Sequence, residues 1–423
     1  MSEYLKERRP ERKASKKELQ EKVAAILDDI RENGDAAVRK YSEQFDNWNP
    51  ESFRLSEDEI ERAIRTLPET FIEDTKFVAE QIRTFAQKQL ESMSEFEVET
   101  YPGVYLGQRL VPVEAVGNYV PGGRYPLIAS AIMSTIPPKV AGVERVSSFT
   151  PPGKDGNGIP AEVIFALKNA GSDEIYSLGG VQAIGSAAYG TETINASDMV
   201  VGPGNAFVAE AKRQIFGDVG IDLPAGPSEI LIIADDSADP DIVTADLLGQ
   251  AEHDPNARAI LISTSELLAK KVIGLIPEQL KTLPTAEVAG EAWEQNGEVV
   301  VVRDYEEAAS LSDEYAIEHL EVQTLNNDWF LNRLKNYGSL FVGEESTVVY
   351  SDKAIGTNHI LPTMRASRYT GGLWVGKFIK TLTYQKLTRE GSKFIAPVAA
   401  RQASAENMIA HAVTAEKRMK KYQ

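Results

Sequence analysis

Apolar residues recur at helical spacing through the first ninety positions. Val23, Ile26, Leu27 and Ile30 fall on one helix face, and Gly34 is placed to end that helix. Ser15 with Glu18, and Ser56 with Glu59, have the spacing of capping boxes, in which a Ser hydroxyl and a Glu carboxylate satisfy free backbone N–H groups. A third helix is predicted from about Pro68 to Ser92. At Glu95 the pattern shifts to short β-rich runs, FEVETYPGVYLGQRLVPVEAVGNYV. Beyond them helices alternate with strands. Helix 127–139 precedes VERVSSFT, 160–170 precedes EIYSL, and 180–189 precedes DMVVG. Helix 206–216 precedes EILIIAD, 240–252 precedes RAILIS, and 264–282 precedes EVVVV. Strands at this spacing with helices between them form parallel sheets, so the fold class is α/β. Alternation on either side of about Pro227 predicts two doubly wound sheets. The tail from about Trp374 reads as a small helical unit ending in a basic amphipathic helix.

Composition narrows the function classes. The 423 residues, 42% hydrophobic and 26% charged, suffice for two or three domains with a large core. A net charge of −18 repels phosphate backbones and anionic lipid, so neither nucleic acid nor a membrane is an expected partner. The basic stretch Lys6–Lys17 is interrupted by acids and reads as a solvated arm. No apolar h-region or spanning segment is evident, and a cytoplasmic protein is expected. The chain has no Cys, which removes disulfides, thiolate nucleophiles and Cys-ligated metal sites.

The four histidines, His253, His319, His359 and His411, each lie in a polar string: QAEHD, IEHLE, GTNHILPT and AENMIAHA. Gln250 and His253 stand at i and i+3 near a predicted helix end, where two side chains can share one ion or simply form a polar end. An N/O ligand set of His, Asp and Gln suits zinc or a similar divalent cation. Glu318–His319 is an adjacent carboxylate–imidazole pair, and at a strand end both members can address one cleft as proton acceptors. The glycine clusters VPGG (120–123), LGG (178–180) and VVGPGN (200–205) follow β-like runs and precede helices. They are therefore phosphate-cradle candidates or plain tight turns. None completes G-x-G-x-x-G, since Phe207 stands where the third glycine would be.

Taken in order, VGNYVPGGR, IPPKVAGVERV, GGVQAI, GPGNAFV, GIDLPAGPSEILIIAD, QAEHDPNARAILI, EHLE, GTNHILPT and the terminal EN-x-x-AH resemble the histidinol dehydrogenase family from about residue 20 to about residue 415. The resemblance implies two incomplete Rossmann-like domains, small terminal units and a homodimer. Residues 16–118 with 229–373 would carry the zinc and catalytic residues, and 119–228 would bind NAD. Residues 1–15 would be an arm and 374–423 a dimerisation unit. It further implies oxidation of a primary alcohol through an aldehyde to a carboxylate with NAD and one zinc. Zinc ligands would be Gln250, His253, Asp352 and His411, with Glu406 and His411 lent by the second subunit. Glu318 and His319 match the acid–base pair, Tyr119, Gln182 and Asn205 the NAD contacts, and Ser228 a substrate contact. His359 lies in a family motif without an assigned step.

Two stretches depart from the histidinol enzymes. GGRYPLIAS, with Arg124 and Tyr125, is short. MRASRYTGGLWVGKFIK places Arg365 where those enzymes usually have Gly. The second string is similar to the branch of the family that oxidises sulfopropanediol to sulfolactate. A guanidinium matches a sulfonate and is a poor neighbour for the cationic amine of histidinol. Sulfopropanediol is the expected substrate, with Ser228, Gln250, His253, Asp352, Arg365, Glu406 and His411 around it, and L-histidinol is the alternative. A zinc hydrolase with the same ligands and Glu318 as base is the reading from another class.

Overall fold

Six residues such as EILIIA, apolar without alternation, form a strand only where both faces are covered. In the computed structural model, which describes residues 2–9, 16–122, 126–153, 156–223 and 226–422, two parallel sheets are built from such runs. The first runs Glu174–Ser177, Arg145–Thr150, Ala115–Tyr119, Met199–Val201, Gly220–Ile221 across five strands. The second has six strands. They run Glu3–Lys6, Glu298–Val301, Arg258–Ser263, Glu229–Ala234, Ile317–Gln323, Tyr337–Val342, with only the first antiparallel. Setting that edge strand aside, both follow one doubly wound order, in which the first strand of the unit lies between the second and the fourth. Apolar side chains on both faces of each sheet are covered by helices.

Residues Glu3–Lys6, expected as part of a free arm, pair with Glu298–Val301. Lys6 donates to the Gly297 carbonyl and lies over the Trp293 ring, and Arg9 pairs with Glu294. The Ser15–Glu18 box and the Arg124–Tyr125 turn lie outside the described residues. The Ser56–Glu59 box forms. The first helix ends at Gly34, as its placement predicts, and a second helix follows directly. The glycine takes φ +50 and kinks a helical stretch that spans Lys16–Asp46. The helices of segment 16–91 pack on the helices that cover the five-stranded sheet, whereas the sequence reading grouped residues 16–118 with the six-stranded one. Strand Ala115–Tyr119 also belongs to the five-stranded sheet.

The tail, expected to be helical, first forms strand Ile379–Leu387, paired antiparallel with Val104–Pro112, which in turn pairs with Phe96–Tyr101. Helices Arg389–Ala405 and Ile409–Lys421 then pack on each other. Among the described residues no helix is long and apolar enough to cross a membrane.

Candidate active site

Strand direction divides the candidate residues into two groups. Ser228 immediately precedes Glu229–Ala234, and Glu318 and His319 begin Ile317–Gln323, so all three lie at the amino-terminal edge of the six-stranded sheet. Helix Pro240–Ala251 runs back from the opposite edge and brings Gln250 to the same place. Glu318 and His319 are buried, 6% and 4% exposed, which takes both out of competition with bulk water. Glu318 Oε2 accepts from the Ser228 hydroxyl at 2.7 Å and from the Glu229 N–H at 2.8 Å. Gln250 donates through Nε2 to Ser228 Oγ, so its carbonyl oxygen is the atom left to act as a ligand.

His319 Nδ1 lies 3.1 Å from the Glu229 carbonyl and 3.3 Å from Glu318 Oε2. A carbonyl only accepts, so Nδ1 carries the proton and Nε2 is the basic nitrogen of the neutral ring. Nε2 is buried without a partner among the described residues. Burial lowers the imidazole pKa, but the charge and hydrogen bond of Glu318, with Asp352 and the Glu229 carbonyl, overcome it and push it up to about 9. Glu229, not singled out in the sequence, orients this corner. Its carboxylate accepts from the Met364 N–H at 3.2 Å and pairs with Arg258, which also holds Glu298.

Asp352 sits in a single π-helical turn, Ser351–Ile355, a form that concentrates at functional sites. Its Oδ1 is 3.2 Å from His359 Nδ1, and His359 Nε2 is 3.2 Å from Ser130 Oγ on helix Ile128–Ala141. Burial pushes the Asp352 carboxyl up. The His359 hydrogen bond and charge, with Lys353 and His319, more than reverse this and hold it well below the usual carboxylate range. His359 thus braces Asp352 against the other sheet's helix layer. His253 is exposed, yet enough protein surrounds its ring to push its pKa down, with Asp352 opposing. A neutral imidazole, an ionised carboxylate and an amide oxygen are the forms a divalent cation binds, so the donors fit zinc chemically. Three of the four expected ligands share one neighbourhood. The fourth does not: His411, with Glu406, is exposed on the terminal helix pair. Among the described residues no three His, Asp or Glu side chains form a closed cation site within one chain.

The second group lies at the carboxyl-terminal edge of the five-stranded sheet. Tyr119 ends its strand, and its hydroxyl accepts from the Gly180 N–H at 3.2 Å where helix Gly180–Tyr189 begins. Burial pushes that phenol up to about 12. Gln182 is fully buried. Its Nε2 donates to Asp46 Oδ2 at 2.9 Å, while its Oε1 has no partner among the described residues. Asp46 was not found in the sequence, because it lies 136 positions away at the end of the kinked helical stretch. Asn205 caps helix Ala206–Ile215, accepting from Phe207 and Val208 N–H at 3.0 and 3.1 Å. Gly202, at φ +113, is needed because a Cβ there would stand 1.9 Å from the Tyr119 carbonyl oxygen.

Arg365 is exposed, with φ +68 following Met364 at φ +53, two strained positions in succession. Thr363 accepts from the Gly226 N–H at 2.6 Å, which with the Met364–Glu229 bond fastens this loop beside Ser228.

The Histidinol dehydrogenase family model matches residues 9–419. A histidinol dehydrogenase homolog of Shouchella clausii (strain KSM-K16) is 53% identical over 100% of both chains. The sulfopropanediol 3-dehydrogenase of Ruegeria pomeroyi is 46% identical over 99% of this chain and 97% of its own. The histidinol dehydrogenase of Methanocaldococcus jannaschii is 43% identical over 96% and 94%. The crystal structure of histidinol dehydrogenase from Elizabethkingia anophelis superposes with a TM-score of 0.92 at 36% identity, covering 98% of this chain and 94% of that one. A match that runs almost from end to end, in sequence and in fold, places this chain in the histidinol dehydrogenase family of oxidoreductases.

Proposed function

We propose that the protein is a zinc- and NAD-dependent four-electron dehydrogenase that oxidises the primary alcohol of sulfopropanediol through a bound aldehyde to the carboxylate of sulfolactate. One observation carries this reading. The Nδ1 side of the His319 ring is held by Glu318, Gln250 and the Glu229 carbonyl, next to Ser228 and the loop that carries Arg365, which leaves Nε2 buried and without a partner among the described residues. Gln250, His253 and Asp352, with His411 of a second copy, would hold the zinc, and Tyr119, Gln182 and Asn205 would contact NAD. When bound, zinc orients the substrate oxygen and favours negative charge on it, and NAD accepts hydride.

The chain's own groups then divide the work. Ser228 and Gln250 orient the hydroxyl. His319 Nε2 takes its proton as hydride leaves, and the Glu229 carbonyl fixes the tautomer that makes this possible. Glu318 uses the carboxylate oxygen not engaged by Ser228 and Glu229 to take a proton from water, which adds to the retained aldehyde while His319 returns its proton to the carbonyl oxygen, so that the hydrate forms and the ring is neutral again. The hydrate yields the second hydride, with His319 again accepting the hydroxyl proton. Arg365 supplies a fixed positive charge for the sulfonate and repels the amine of histidinol. Glu406 of the second copy completes the substrate side.

The test is to incubate the protein with zinc and NAD, offer sulfopropanediol and L-histidinol in parallel, and count NADH formed. Two NADH per sulfopropanediol and none per histidinol are expected. The reverse pattern returns the chain to histidine biosynthesis, and no NADH from any alcohol ends the dehydrogenase reading.

A further inference from the structure

Asp246 and Glu321 have no part in the chemistry above, yet they lie directly behind it. Glu321 is two residues along strand Ile317–Gln323 from His319 and projects on the same face. Asp246 is one helical turn before Gln250 on Pro240–Ala251. Glu321 is 0% exposed, and the two carboxyls hydrogen-bond each other. Gln323 Nε2 donates to both, at 3.0 Å to Asp246 Oδ2 and 3.2 Å to Glu321 Oε2. The Thr347 hydroxyl donates to Asp246 Oδ1 at 2.9 Å, and the Val348 N–H to Glu321 Oε1 at 3.1 Å.

Neither carboxyl is in an ion pair among the described residues, and the further charge that acts on Asp246 is another anion, Glu344. The cross-strand neighbours of Glu321 are apolar, Ile232 and Phe341, and the titratable group on its own strand face is His319. Two ionised carboxylates cannot share such a place, so the pair retains one proton. Burial first, and then the charge of Asp246, push Glu321 up to about 8, and Asp246 is raised as well.

We propose that Glu321 and Asp246 form a one-proton carboxyl pair that positions the active site, because three elements that carry its residues meet there. The helix leads to Gln250 and His253, the strand bears Glu318 and His319, and the anchored turn 347–348 leads into Asp352. The pair touches neither substrate nor cofactor, so both are positioning residues. Their role in turnover rests on the site reading above, but the proton does not, and it can be tested without activity.

A carboxyl whose folded pKa is raised stabilises the fold fully below its ordinary value near 4.5, and that contribution is lost as pH rises through about 8. Glu321→Gln keeps a neutral donor in place and removes the titration. The melting temperature of Glu321→Gln minus that of the wild-type chain is therefore expected to climb between pH 4.5 and 8 and level off above. Melting curves that stay parallel across that range would overturn the shared proton. In the assay with zinc and NAD, Glu321→Ala should cut turnover ~10–100-fold, the scale of lost support behind an active site, while Glu321→Gln retains most of it. Equal losses in the two variants, or none in either, would overturn the positioning role. A wild-type chain without dehydrogenase activity would sink the proposed function and leave the melting comparison standing.

Discussion

The two parallel sheets share a strand order and are used at opposite ends. In the five-stranded sheet the candidate nucleotide contacts follow the carboxyl ends of the strands, where helices begin. In the six-stranded sheet the acid–base and ligand candidates sit at the amino ends, where helix Pro240–Ala251 terminates. The difference follows from what each end offers. A helix start supplies donors to phosphate, whereas a helix end exposes carbonyls and favours cations. One topology can therefore serve an anionic cofactor at one edge and a cationic centre at the other, provided the two edges face each other across the molecule's interior. The His359 bridge from Asp352 to Ser130 ties the second unit to the helix layer of the first.

Breaking the amino-terminal edge should have the largest effect. His319→Ala, or Glu318→Gln, is expected to lower kcat by ~10²–10⁴-fold with zinc content and the KM for NAD unchanged, as read by steady-state rates and metal analysis. The same edge has a pH signature. The neighbouring Glu318 favours the charged His319 ring, so a base that must start neutral is expected to work faster as pH rises. Ring NMR of a chain with only four histidines should show one titrating near 9, moving lower when zinc neutralises the carboxylate field.

Arg365→Ala sharpens the comparison from the substrate side, with kcat/KM for sulfopropanediol expected to fall ~10–100-fold, the worth of a charge-assisted contact. At the carboxyl-terminal edge the change should be smaller. Asp46→Ala leaves Gln182 unpaired, and the KM for NAD should rise ~10-fold while kcat is kept. Loss of kcat instead would mean that the two edges are not functionally separate.

Much of this division could be read in the sequence. Unalternating apolar runs with helices between them specify parallel strands, and Gln250 lies in the last turn of the helix predicted for it, while His253 follows two residues beyond its end. The sheet that a helix covers is another matter. The stripe of Val23, Ile26, Leu27 and Ile30 announces a buried face without naming its partner, which proves to be helix Gly180–Tyr189. Strand Ile379–Leu387 was missed because it is largely exposed, so its pattern carries little of the burial contrast by which strands are recognised. Asp46, Glu229 and the Asp246–Glu321 pair share a different reason. Each is defined by a polar partner far along the chain, and periodicity reports apolar burial only.

The kink at Gly34 bears on how the N-terminal segment can evolve. An added Cβ there would meet the Glu192 carboxylate, and the Asp35 N–H donates to that same carboxylate. One acidic side chain on a distant loop thus acts as the stop against which two successive helices change direction. Lengthening either helix by a single residue would rotate its apolar stripe by roughly 100° away from the helices it packs on, so insertions should be tolerated in the surrounding loops and rejected on both sides of this bend.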